Sequence, residues 1–130
     1  MKNSIRILGF VILAAMVVGA VQTIGIAQDD KEEKKAKHEI KQVMQEAHKK
    51  GALKKVLGGA ASQQEKLELL DLYISLVENE PPKGDLESWH RLAGGVALAA
   101  AKVAVGRDGA TAELKQATNC GACHKVHKPK

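Results

Sequence analysis

Wherever this chain carries a hydrophobic pattern, its period is that of a helix. No stretch alternates apolar and polar residues with period two, and Ile40, Val43, Met44 and Ala47 fall at i, i+3, i+4 and i+7. Proline and glycine cut the pattern into four amphipathic segments. The first is expected over about 30–50, with a short continuation through Leu53, Val56 and Leu57 that ends at Gly58-Gly59. Ser62 and Glu65 form a capping box, in which hydroxyl and carboxylate each satisfy a free backbone N–H. It opens a second helix through Leu67, Leu70, Tyr73, Ile74 and Val77, closed by Pro81-Pro82. Asp85 caps a third, running through Trp89, Leu92, Val96 and Val103 to Gly106, and Thr111 caps a fourth that carries Leu114 and Ala117 into Cys120. Connections of a few residues force sequence neighbours to pack side by side, so the predicted fold class is all-α, an antiparallel four-helix bundle.

The first 27 residues read as an address rather than as part of that fold. Lys2 and Arg6 precede an unbroken run of 15 mostly apolar residues from Ile7 to Val21, and Gly25-Ile26-Ala27 offers small residues for cleavage. A run of that length suits a signal peptide better than a membrane span, which needs roughly 20 residues, although an uncleaved anchor is the alternative. The expected organisation is therefore a signal peptide over 1–27 and one helical domain over 28–130, in a periplasmic or otherwise exported protein. From residue 28 on, 18 basic residues stand against 15 acidic ones, a net charge of +3. The two signs are interleaved along helix surfaces, which argues for solvated faces and against nucleic-acid binding.

Aromatic side chains do not fill this core, since only Tyr73 and Trp89 remain beyond the leader. The third segment is also small-sided: "LAGGVALAAAKVAV" over 92–105 is mostly alanine and glycine. Glycine inside a helix costs roughly 1 kcal/mol against alanine, so such a run needs a reason. Two stay open: close approach of a neighbouring helix, or room for a flat ligand.

The sequence "TNCGACHKVHKPK" over 118–130 holds the chain's only two cysteines. At about 100° per residue, Cys120, Cys123 and His124 lie at about 0°, 300° and 40° around a helix, all on one side within one turn. Two sulfurs so placed can form thioethers with the vinyl groups of a haem while the next residue's imidazole binds iron, and C-x-x-C-H is the c-type haem attachment pattern. The competing uses of these residues are weaker. A thioredoxin-like dithiol needs a strand before the motif. A disulfide across so short a loop adds little stability. A zinc site of Cys120, Cys123, His124 and His127 would crowd four ligands into eight residues, whereas such sites usually draw two pairs from separate segments.

An exported four-helix chain with C-x-x-C-H in its last segment resembles the cytochrome c prime family. The resemblance implies one covalently attached haem (heme c), held by Cys120 and Cys123, with His124 as the proximal iron ligand. It also implies an aromatic and then a basic residue shortly after the histidine; here those places hold His127 and Lys128, so the basic position is kept and the aromatic one is not.

The resemblance offers two branches for the other iron position: a methionine on the first helix, which makes an electron carrier, or a vacant site that binds small gases such as NO and CO. Met44 is the only methionine beyond the leader and sits in the first helix's apolar stripe, which makes it the expected distal ligand; His48, one turn later and at the stripe's boundary, is the rival. His38 and His90 are weaker candidates, and His127 cannot reach the opposite face from the helix that carries His124. No set of residues resembles a catalytic acid, base or nucleophile in a pocket, so an enzyme is not expected. The expected function is single-electron transfer to redox partner proteins, acidic ones by virtue of Lys125, Lys128 and Lys130. The alternatives are a five-coordinate gas-binding protein and a helical metal-binding protein without haem. Monomer and dimer are both compatible with the sequence.

Overall fold

The computed structural model describes residues 35–130, so the leader expected over 1–27 lies outside the described residues. Within them the chain is all-α. Helix α1 (Ile40–Val43) runs without a break into a π-helical segment (Met44–Lys49), and is followed by α2 (Ala52–Leu57), α3 (Gln63–Glu78), α4 (Leu86–Ala104), α5 (Ala110–Ala117) and α6 (Cys120–His127). No strand occurs among the described residues.

The central pair is α3 and α4. They are antiparallel, since Gln63 at the start of α3 donates from Nε2 to the Ala104 carbonyl at the end of α4 (2.7 Å), while Trp89 near the start of α4 donates from Nε1 to the Leu76 carbonyl near the end of α3 (3.1 Å). Both starts are fixed by the caps the sequence predicts. The Ser62 hydroxyl accepts from the Glu65 N–H (3.2 Å) and the Glu65 carboxylate accepts from the Ser62 N–H (2.8 Å). Asp85 accepts from the Ser88 N–H at 2.7 Å. Each such cap satisfies donors that the first helical turn leaves free. Ala93, Ala99, Ala100 and Ala104 of α4 are buried. The segment from α1 through the π-helix packs on α3, α5 packs on α4 and α2, and α6 meets α4 alone among the helices described. Tyr73, Leu69, Leu114 and Val43 are among the largest fully buried side chains of the core between them.

Three expectations about boundaries are corrected. The first helix starts at Ile40 rather than near Asp30: residues 35–39 are non-helical, strapped to α3 by Lys37, which donates to Asp71 (2.6 Å), and by Asn79, which donates to the His38 carbonyl (2.8 Å). Its second half is a π-helix, in which the Lys50 N–H donates to the Gln45 carbonyl five residues back (2.9 Å), and Gly51 at φ 86° separates it from α2. Thr111 is not a cap. Glycine at 109, in the left-handed region at φ 75°, turns the chain into α5 and occupies the cap position itself. Nor does α5 continue into the cysteines: it stops at Ala117, and α6 starts afresh at Cys120.

Candidate functional site

The break before the cysteines is built by two side chains. Thr118 turns its hydroxyl back to donate to the Leu114 carbonyl (2.8 Å), which ends α5, and Asn119 accepts the Ala122 N–H on its side-chain oxygen (3.1 Å), which caps α6. α6 is then free to lie at its own angle, with Cys120, Cys123 and His124 in its first turn and a half. Both cysteines are free thiols, Cys120 exposed and Cys123 half-buried.

These three residues face a cavity of about 710 Å³, within the range of about 300–1,000 Å³ usual for cofactor sites. α6 supplies one wall with Cys120, Cys123 and His124. α4 supplies Trp89, Leu92, Ala93 and Val96, α3 supplies Tyr73 and Leu76, and the first helical segment supplies Ile40, Met44 and His48. No Cα of α6 lies within 8 Å of the π-helical segment, so the two elements stand apart across the cavity they share. Of the small residues at 93–95, Ala93 lines the cavity and Gly94 and Gly95 do not. The charged groups on the lining are all basic: Lys41, Lys49 and Lys128, with no carboxylate among them. An apolar cavity whose charged lining residues are all basic suits an apolar molecule that carries anionic groups.

Met44 and His48 both line this cavity, and both are half-buried. On a regular helix His48 would sit at the edge of the stripe. The wider π-helical ring carries it to the cavity, where its ring packs against that of Tyr73 at 6.0 Å and 49°. Burial, and then the charge of His124, lower the His48 pKa, so its imidazole is held neutral and able to accept a metal. Burial, and then the charge of Cys120, raise the Cys123 thiol's pKa. π-helical turns concentrate at functional sites, and this one places the two candidate distal ligands on one wall.

The remaining histidines are placed differently. His127 is 2% exposed: its Nδ1 lies 2.8 Å from the Lys83 carbonyl and its Nε2 2.9 Å from the Ser88 hydroxyl. That pairing fixes the tautomer, with Nδ1–H donating to the carbonyl and Nε2 accepting from the hydroxyl. Its ring meets Trp89 edge-on, with centroids 5.3 Å apart at 78°. With both its nitrogens committed to α4 and the turn before it, it does not join the two cysteines in a zinc site. Among the described residues no three His, Cys, Asp or Glu side chains are grouped to hold a metal ion. His38 bonds to Asp71 (3.2 Å), and neither it nor His90 lines the cavity. Among the described residues no helix is long and apolar enough to cross a membrane.

No family model, curated protein or solved structure matches the chain. The site's meaning therefore rests on its own residues. Sequence reasoning missed two of them: Tyr73 and Trp89, read only as members of helical stripes, form the aromatic wall of the cavity. Their being the only aromatics after residue 27 was the signal available.

Proposed function

We propose that this protein is an exported monohaem c-type cytochrome, a four-helix bundle that carries single electrons. One observation carries the reading: the two thiols and the imidazole of C-x-x-C-H open onto the same apolar, cationic-rimmed cavity as the chain's single non-leader methionine, from opposite elements. Cys120 and Cys123 would hold the cofactor by adding their S–H bonds across its two vinyl groups. His124 would bind iron from α6, and Met44 from the π-helical segment. Lys41, Lys49 and Lys128 would meet the cofactor's carboxylates at the rim. Leu76, Trp89, Leu92 and Val96 would give it apolar walls. Bound there, a haem supplies the one-electron ferric–ferrous couple, whose potential axial ligand, burial and charge set.

The test is a mass spectrum and a visible spectrum of protein expressed alongside a haem-ligation system. The expected mass is that of the chain, cleaved near Gln28, plus one haem that survives acid extraction. Recovery of two free thiols and no haem overturns the reading. With haem attached, Met44 as ligand predicts a weak sulfur-to-iron band in the far red of the oxidised protein and little carbon monoxide binding. Met44→Ala should then remove the band, lower the potential and admit the gas.

A second reading puts His48 in the place of Met44, favoured by its position on the same wall and by the burial that keeps it neutral. Met44→Ala would then leave the spectrum unchanged while His48→Ala alters it. Ready carbon monoxide binding by the unmodified protein would favour the five-coordinate, gas-binding branch over both.

A further inference from the structure

Tyr73 is fully buried, and its hydroxyl has no hydrogen-bond partner among the described residues. A buried hydroxyl left without a partner costs about 1–3 kcal/mol, and phenylalanine would avoid that cost at the same shape. The side chain lines the cavity, its ring packed on that of His48. A phenol hydroxyl offers one donor and a weaker acceptor, so a ligand in the cavity could take its hydrogen bond.

An iron porphyrin offers few acceptors to such a donor. Its ring nitrogens are spent on the metal. Its carboxylates lie at the edge away from the thioether-forming vinyl groups, and the cations that suit them are the lysines of the rim. What remains is the ligand on the iron. We propose that Tyr73 is the hydrogen-bond donor to the axial ligand across the iron from His124: to the Met44 sulfur where that binds, and to the outer atom of a small ligand where it does not. The proposal rests on the cytochrome reading. A hydrogen bond to an axial ligand draws electron density from it, weakens its donation to ferric iron and so favours the ferrous state.

Tyr73→Phe removes the hydroxyl and nothing else. In protein shown by mass to carry haem, the variant should have a lower reduction potential than the parent. In a Met44→Ala background, the carbon monoxide complex of Tyr73→Phe should show its C–O stretch at higher frequency, because donation to the outer oxygen weakens that bond. An unchanged potential together with an unchanged stretch, with haem attached in every sample, overturns the role of Tyr73 and leaves the cytochrome reading intact. Failure to attach haem in the parent chain overturns the reading itself, and the proposal with it.

Discussion

His127 shows how much of the site depends on single atoms. Its imidazole lies so close under Gly84 that a Cβ there would come within 2.7 Å of Nδ1 and 2.9 Å of Cε1, and Gly84 holds φ at 85°, where side chains are strained. Gly84→Ala must therefore either displace the ring from Lys83 and Ser88 or shift the turn. We expect a loss of about 1–3 kcal/mol, seen as a lower melting temperature. Gly95→Ala is the contrasting case: its Cβ would enter open space inside α4, so the gain in helix propensity, about 1 kcal/mol at most, should appear undiminished as a higher melting temperature. The two substitutions add the same methyl group and differ in backbone conformation and surroundings. Neither environment could be read from the sequence, where "KGD" before a capped helix and "GG" within one both look like backbone punctuation. What was legible at this scale was a placement that needs no tertiary partner, that of Cys120, Cys123 and His124 on one side of a turn.

At the scale of elements, legibility follows the range of the interactions that fix each boundary. The starts of α3 and α4 were readable because Ser62, Glu65 and Asp85 bond to backbone three residues away. The π-helix was not, because nothing in the composition of Met44–Lys49 separates it from an α-helix; its wider turns are held by packing on α3. The break between α5 and α6 had a local sign that was passed over, an asparagine directly before the cysteines. Asn119→Ala removes that cap and should cost about 1 kcal/mol, concentrated in α6, which among the described helices has only α4 to lean on. Hydrogen exchange is the measurement that separates this from a general loss: amides of Cys123 to His127 should exchange faster while those of α3 keep their protection. Equal acceleration throughout the chain would show that α6 unfolds only with the rest.

For the whole molecule, charge and volume both carry consequences. Hydrogen bonding from Lys37, and after it from His38, lowers the pKa of Asp71 against an opposing effect of burial, and it is this carboxylate that straps residues 35–39 to α3. A carboxylate whose folded pKa is depressed contributes its stability above its unfolded pKa of about 3.9, and that contribution is lost as the pH falls through the folded value. The melting temperature should therefore fall on acidification below about pH 4. Asp71→Asn should start lower at neutral pH and show a shallower acid limb. The exposed Lys125, Lys128 and Lys130, beside the proposed attachment helix, predict electron transfer to an acidic partner that slows as salt is raised, since complementary charge acts mainly on the association rate. Rates independent of ionic strength would remove that partner class.

The cavity bears on the stability of the whole molecule. It holds about 710 Å³ and opens to solvent, and its walls include Leu76, Trp89, Leu92 and Val96, apolar side chains that an occupant would take out of contact with water. Filling it is therefore expected to stabilise the packed helices, and the proposed attachment through Cys120 and Cys123 would fill it permanently. Cys120→Ala with Cys123→Ala tests this. The alanines are close to the thiols in size and exposed or half-buried, so their direct effect on packing is small. Expressed beside a haem-ligation system, the double variant should carry little haem, keep its helical circular dichroism, melt over a broad range and bind a hydrophobic dye, the marks of a bundle whose specific packing has been lost. A sharp melt at the temperature of the parent protein, with no cofactor bound, would show that the cavity needs no occupant.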